Sequence, residues 1–271
     1  MTETARSFET IRLERDAHGV RRLTMNRPAQ RNALTHRMME EMGEALSLVR
    51  ADPEARVLVL RGAGGNFCAG GDLNAMVDMP PPPPPGEPDP LVQPYRYFGD
   101  VLATLNTMPQ AVVALVEGAA AGGGLGAACC ADLTVVLADA RLGMPEPRHG
   151  FIPSQIIPFV VRRVGEAQAR RLAVTAAVID GREATRLGVA HHCCETLEEA
   201  EAAVALALEQ LRRCAPRALA AVKRLTLSVA QRSDVEVMDD AAETLVALLR
   251  APEAKAGIEA FLAKRRPPWA E

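Results

Sequence analysis

The two stretches densest in glycine, GAGGNFCAGGDL at 62–73 and EGAAAGGGLGAACC at 117–130, each follow an apolar run that reads as a strand. Without a Cβ the chain can bring its amide groups close to a ligand. A helix start just beyond such a turn adds unpartnered N–H groups and the positive end of a dipole. Two strand-to-helix turns of this kind can aim two N–H groups at one oxygen, the arrangement that stabilises charge developing on a carbonyl. The same residues admit other uses. Glycine-rich turns also cradle phosphates, and Gly122, Gly123, Gly124 and Gly126 would equally permit close helix packing. A dinucleotide-binding turn fits poorly, because a clean GxGxxG is missing and no acidic residue ends a second strand about 20 residues later.

A third segment, MPEPRHGFIPSQ at 144–155, contributes Glu146. In a turn beside Met144, Phe151 and Ile152 this carboxylate can be an exposed charge. In a partly apolar pocket it becomes an acid–base group with its pKa raised toward neutrality. Arg148 and His149 follow it and read as a solvated cation and a capping residue. His18, His36, His191 and His192 lack metal-ligand spacing. Cys68, Cys129, Cys130, Cys193, Cys194 and Cys214 lack C-x-x-C spacing and sit mostly in apolar segments, as reduced, buried thiols do.

The elements that must hold these residues follow from periodicity. Residues 8–15 and 20–25 alternate around a turn at 16–19 and predict a hairpin. Leu34, Met38, Met42, Ala45, Leu46 and Val49 recur at helical spacing and predict an amphipathic helix over 35–50. Unbroken apolar runs at 56–61, 111–116 and 133–137 predict strands covered on both faces. The first two thirds therefore alternate strands with glycine-rich turns and helices, an α/β chain. Beyond about residue 195 the pattern is helical, at 196–214, 218–229, 234–249 and 252–263, the first opening with a Thr196–Glu199 capping-box pattern. Six consecutive prolines at 80–85 favour a polyproline II segment, read as a surface linker or as the stiff rim of a pocket.

The 271 residues, 48% hydrophobic, suffice for a large core, and we divide them into a main unit over 1–195 and a helical region over 196–271. A net charge of -3 gives no basic footprint for nucleic acid or an acidic membrane. No apolar run approaches a membrane span and residues 1–7 lack a signal-peptide pattern, so a cytoplasmic protein is expected.

Taken together, NRPAQRNAL at 26–34, GGNFCAGGDL, EGAAAGGGLG and MPEPRHGFIPSQ resemble, in order and separation, the crotonase (enoyl-CoA hydratase/isomerase) superfamily over about residues 8–269. The resemblance implies a crotonase-like spiral of strand–strand–helix repeats with a helical C-terminal region that helps form trimers, often paired into hexamers. It implies an acyl-coenzyme A thioester as substrate and no separate cofactor or metal. Its oxyanion donors fall on Ala69 and Gly123, and its second catalytic glutamate on Glu146. The first catalytic glutamate falls on Gly126, a departure that leaves one carboxylate. Coenzyme A would run along Ala69, Gly70, Gly71, Asp72 and Leu73, near Gly126, with the cations Arg27 and Lys264 near its phosphates. PSQIIPFVVRRVG at 153–165, LRRCAP at 211–216 and KRRPPWA at 264–270 look like hydratases of 3-branched glutaconyl-CoA esters, such as the isohexenylglutaconyl-CoA and 3-methylglutaconyl-CoA hydratases. The expected reaction is hydration of an α,β-unsaturated acyl-CoA by a single glutamate. Isomerisation of a Δ3 to a Δ2 double bond and a non-catalytic acyl-CoA-binding role are the alternatives, and a dinucleotide-dependent reductase is a distant third.

Overall fold

The computed structural model describes residues 8–16, 18–77 and 79–270. Its elements run β1 (Ile11–Arg15), β2 (Val20–Met25), α1 (His36–Ala51), β3 (Val57–Gly62), α2 (Val92–Thr107), β4 (Ala111–Val116), β5 (Ala119–Ala121), α3 (Gly123–Cys130), β6 (Leu133–Leu137), β7 (Arg141–Gly143), α4 (Ile157–Thr175), β8 (Val178–Ile179), α5 (Gly181–Arg186) and β9 (His192–Cys194). The helices α6 (Leu197–Arg213), α7 (Pro216–Ser228), α8 (Asp234–Leu249) and α9 (Pro252–Leu262) complete the chain.

The larger sheet has the order β1-β2-β3-β4-β6-β9, with an antiparallel β1–β2 hairpin and parallel pairing beyond it. The smaller sheet is β5-β7-β8. In β4–β5–α3 and β6–β7–α4 the first strand enters the large sheet, the second enters the small one, and a helix follows. These are the strand–strand–helix repeats that the resemblance implies.

The parallel strands β3, β4 and β6 of the large sheet are covered on both faces, which is why they read as unbroken apolar runs. Leu58 and Leu60 of β3, with Val112, Ala114 and Val116 of β4, face the main core beside α1 and α2. Val57, Val59, Ala111, Val113 and Leu115 point the other way, against Ala200 and Val204 of α6. Thr35 caps α1 by accepting from Met38 N (3.2 Å), and all the helix-spaced apolar residues predicted for that segment are buried. Thr196 likewise accepts from Glu199 N, but the Glu199 carboxylate takes the Glu195 N–H (2.8 Å) rather than that of Thr196, so the predicted box closes one residue early.

The C-terminal helices are tied down by polar contacts. Lys223 of α7 is buried and donates to Asp132 Oδ2 (2.7 Å) and Gln110 O (3.1 Å), while Arg56 donates to the carbonyls of Cys214 and Trp269 (2.7 Å each). Among the described residues no helix is long and apolar enough to cross a membrane.

Candidate active site

The two glycine-rich turns are joined to each other. Cys68 N donates to Ala119 O (2.8 Å) and Ala121 N to Cys68 O (2.9 Å), a two-bond bridge that draws the first turn alongside the second. At Gly70 (φ +92) a Cβ would lie 3.1 Å from Ala121 O, so the chains pass at backbone contact distance. Beside this junction is a cavity of ≈ 520 Å³. One wall is Ala69, Gly70, Gly71 and Leu73, a second is Gly122 and Gly123, and a third is Glu146, His149 and residues 151–156. Met39, Met76, Met79, Tyr95 and Phe98 make the remainder predominantly apolar.

Within this arrangement the Gly123 and Gly71 N–H groups are uncommitted. Gly123 opens α3, and the first bond of that turn runs from Gly126 N to Gly122 O (3.0 Å), which leaves the Gly123 N–H without a described acceptor, as expected at a helix start. The second is not at the position expected from the sequence. Ala69 N donates to Arg31 O (3.0 Å), so it is spent within the protein and cannot be directed at a ligand carbonyl. Two residues on, Leu34 N donates to Gly70 O (2.7 Å) and Asp72 N to Leu34 O (2.9 Å). That parallel bridge turns the Gly71 N–H the opposite way, with no described acceptor. Nor does an α-helix start just beyond this turn. Leu73–Met76 is a short 3-10 turn capped by Asp72, so the donor comes from the bridge geometry and not from a helix dipole.

Glu146 begins another 3-10 turn, Glu146–His149, closed by Gly150 in the left-handed region (φ +86). Its carboxylate lies directly over Gly122 (φ +50), where a Cβ would overlap Oε1. Its other oxygen, Oε2, is buried without a described hydrogen-bond partner. Burial drives the Glu146 pKa above the ordinary carboxylate value, against smaller opposing effects from its own backbone N–H and from His149. A buried carboxylate oxygen lacking a partner, in a cavity that Gly71 and Gly123 also border, is a group that a bound ligand would satisfy.

The expected site residues divide accordingly. Glu146, Gly123, Ala69, Gly70, Gly71 and Leu73 border one cavity. Gly126 does not: it is fully packed, and a Cβ there would overlap Ile156 Cγ2 and lie 2.7 Å from Ile156 Cβ. The place expected for a first glutamate is thus filled by isoleucine. Arg27 is also withdrawn, donating to Ala33 O (2.6 Å) and pairing with Asp72 (3.1 Å), and neither of the two borders the cavity. Lys264 (φ +53) lies elsewhere, at a basic hollow shared with Arg212, Arg213, Arg265 and Arg266. Met144 belongs to the core rather than the pocket, and Arg148 is exposed outside it.

Sequence reasoning missed the methionine-rich wall and the face of α2. The prolines at 80–85 are mostly exposed, but their flanks, Met76 and Met79 before and Tyr95 and Phe98 after, reach the cavity. The Tyr95 hydroxyl lies 4.0 Å from Met79 Sδ. Cys68, beneath the first turn, has its thiol pushed up to about 12 by burial and is inert.

The family model described as enoyl-CoA hydratase/isomerase matches residues 15–271. The chain is 33% identical over 246 residues to a putative enoyl-CoA hydratase of Thermus thermophilus, covering 90% of this chain and 94% of that one. It is 29% identical to the mitochondrial methylglutaconyl-CoA hydratase of Mus musculus, over 94% and 81% of the two chains. Among solved structures, Pseudomonas aeruginosa AtuE superposes with a TM-score of 0.91 at 46% identity, covering 97% of this chain and 100% of that chain. An enoyl-CoA hydratase/isomerase from Marinobacter aquaeolei does so at 0.91 and 42%, over 97% and 99%.

Proposed function

Because the chain belongs to the enoyl-CoA hydratase/isomerase family, we propose that it adds water across the double bond of an α,β-unsaturated acyl-CoA, with Glu146 as the catalytic carboxylate. The observation that carries this reading is the orphaned, buried Oε2 of Glu146 in the cavity bordered by Gly71 and Gly123.

The thioester carbonyl accepts from the Gly71 and Gly123 N–H groups. Attack of water at Cβ moves the π electrons through Cα onto that oxygen, and each preorganised donor contributes roughly 2.7–4 kcal/mol to the transition state. Glu146 takes or returns the protons that complete hydration, a task suited to a carboxylate whose pKa is raised. The reaction is redox-neutral, so the only coenzyme it calls for is the one esterified to the substrate. The apolar wall of Met39, Met76, Met79, Phe98 and Ile152 suits an aliphatic acyl group. A 3-branched glutaconyl-CoA ester is the substrate suggested by the terminal motifs and by the relative named as a methylglutaconyl-CoA hydratase.

Isomerisation of a Δ3-enoyl-CoA is the second reading, favoured by the filling of the Gly126 position with Ile156, since one carboxylate suffices to carry a proton between two carbons. Incubation with enoyl-CoA substrates in H₂¹⁸O distinguishes the reactions, because only hydration places label in the acyl chain. Glu146→Gln is expected to lower turnover by about 10²–10⁴-fold while retaining acyl-CoA binding. Near-normal turnover of that variant removes the assignment. An unlabelled, unchanged panel of enoyl-CoA esters favours a purely binding role.

A further inference from the structure

Hydration asks for two proton transfers, from water to a base and from an acid to Cα, yet the place expected for a second carboxylate is occupied by Ile156 packed on Gly126. The cavity holds another candidate. In a 3-10 turn three residues complete one revolution, so side chains at i and i+3 eclipse, roughly 6 Å apart along the axis. The turn Glu146–His149 therefore presents its first and last side chains on one side. Both border the cavity, whereas the intervening Pro147 and Arg148 do not. Gly150 in the left-handed region stops the turn at that point, and the imidazole lies beside the Phe151 ring with centroids 6.0 Å apart.

We propose that His149 is the second acid–base group of this site, standing in for the missing carboxylate. The inference rests on the hydration reading above. In it, the neutral imidazole takes a proton from water as the water oxygen bonds to Cβ. The π electrons pass to the thioester oxygen, held by Gly71 and Gly123. The protonated Glu146 carboxyl gives its proton to Cα as the enolate collapses. The imidazolium then returns its proton to the Glu146 carboxylate, directly or through a water. The sum is H and OH added across the double bond, with both side chains restored. A carboxyl pushed toward its protonated form by burial is suited to the acid role, and a more accessible imidazole to the base role.

The surrounding charges leave this pair to act together. Tyr95 of α2 is the other titratable group bordering the cavity among the described residues. On α2, Arg96 is paired with Asp100 (2.7 Å). On α4, which packs against the turn, Arg162 lies over the Phe159 ring and Arg163 donates to Cys129 O.

The test is the pH profile of kcat for the wild type, His149→Gln and His149→Ala, with hydration read by ¹⁸O incorporation. We expect His149→Gln to lower kcat about 10²-fold with KM changed less than about threefold, and to lose the acid limb of the wild-type profile. Free imidazole is expected to restore part of the His149→Ala rate. A kcat within about threefold of wild type overturns the proposal, as does a fall in kcat with the wild-type profile intact and no imidazole rescue. Hydration by the wild type with unaffected variants removes this inference alone. Absence of label incorporation by the wild type removes the hydration reading and this inference with it.

Discussion

Gly122 and Glu146 show how a single position is constrained from two directions. Gly122 has φ +50, and a Cβ on it would collide with the Glu146 carboxylate, so backbone conformation and the approach of the acid both require glycine. Neither demand is visible in a run of small residues, which is why packing and chemistry remained equal readings of 117–130. The misplacement of the first donor has the same origin. Whether Ala69 or Gly71 offers its N–H depends on the register of the Leu34–Gly71 bridge, a contact across 37 positions of sequence that no local pattern encodes. The buried carboxylate has a consequence for stability. A Glu pKa raised by burial favours folding in the protonated form, so that contribution is fully present below the unfolded value of 4.5 and is lost as pH rises through the folded value. Glu146→Gln, which stays neutral, is expected to melt above the wild type at pH 8 and to converge with it near pH 4, the opposite sign to its effect on turnover. Thermal melts across that range check this, and a variant that melts below the wild type at pH 8 contradicts it.

At the level of elements, what was legible was what the sheet buries. β4 and β6 have the bounds their apolar runs predict, because strands covered on both faces leave that pattern in the sequence, whereas α8 has its predicted bounds with none of its residues buried, its start fixed by the Ser233–Glu236 capping box. The small sheet left no such trace: β5, β7 and β8 are three residues or fewer, below any period. Helix α2 was hidden by Pro94 and Gly99 and by the prolines before it, although tertiary packing of Phe98, Val101, Leu102 and Leu105 supports it. The meeting of α3 with the start of α4 is where the site departs from a two-carboxylate pattern. Since Ile156 fills the space above Gly126, Gly126→Ala is expected to cost about 1–3 kcal/mol by overpacking. Shortening the opposing side chain relieves part of that cost, so Gly126→Ala with Ile156→Ala is expected to be less destabilised than the sum of the singles by at least about 0.5 kcal/mol. Urea unfolding of the four proteins measures the coupling, and strict additivity means the two residues do not compete for space.

Over the whole molecule, the apolar surface left uncovered is concentrated beyond β9. Val235, Met238, Leu245 and Leu249 follow one another along α8 at intervals that keep to one side of a helix, and Ile258, Phe261 and Leu262 do the same on α9. Each is at least half exposed, with Phe261 at 81% and Leu262 at 74%. Single exposed apolar residues need no explanation, but helical stripes of this length are rare on a chain that stays alone in water. Both helices are tied to α7, α8 by Arg224 paired with Asp240 (2.6 Å) and α9 by Arg217 N donating to Glu253 Oε1 (3.1 Å), so turning the stripes inward would break these contacts. Covering them therefore falls to another surface, and further copies of the same chain in a homotrimer, or a pair of trimers, are the partners we propose. A charge placed in such a stripe must be desolvated on assembly but remains in water on the separated chain. Met238→Asp combined with Phe261→Asp is therefore expected to leave the circular dichroism of the fold intact while shifting the mass measured by light scattering from a multiple of 29.0 kDa toward that single-chain value. If the wild type itself scatters as a single chain, the stripes serve some other purpose and the trimer is abandoned.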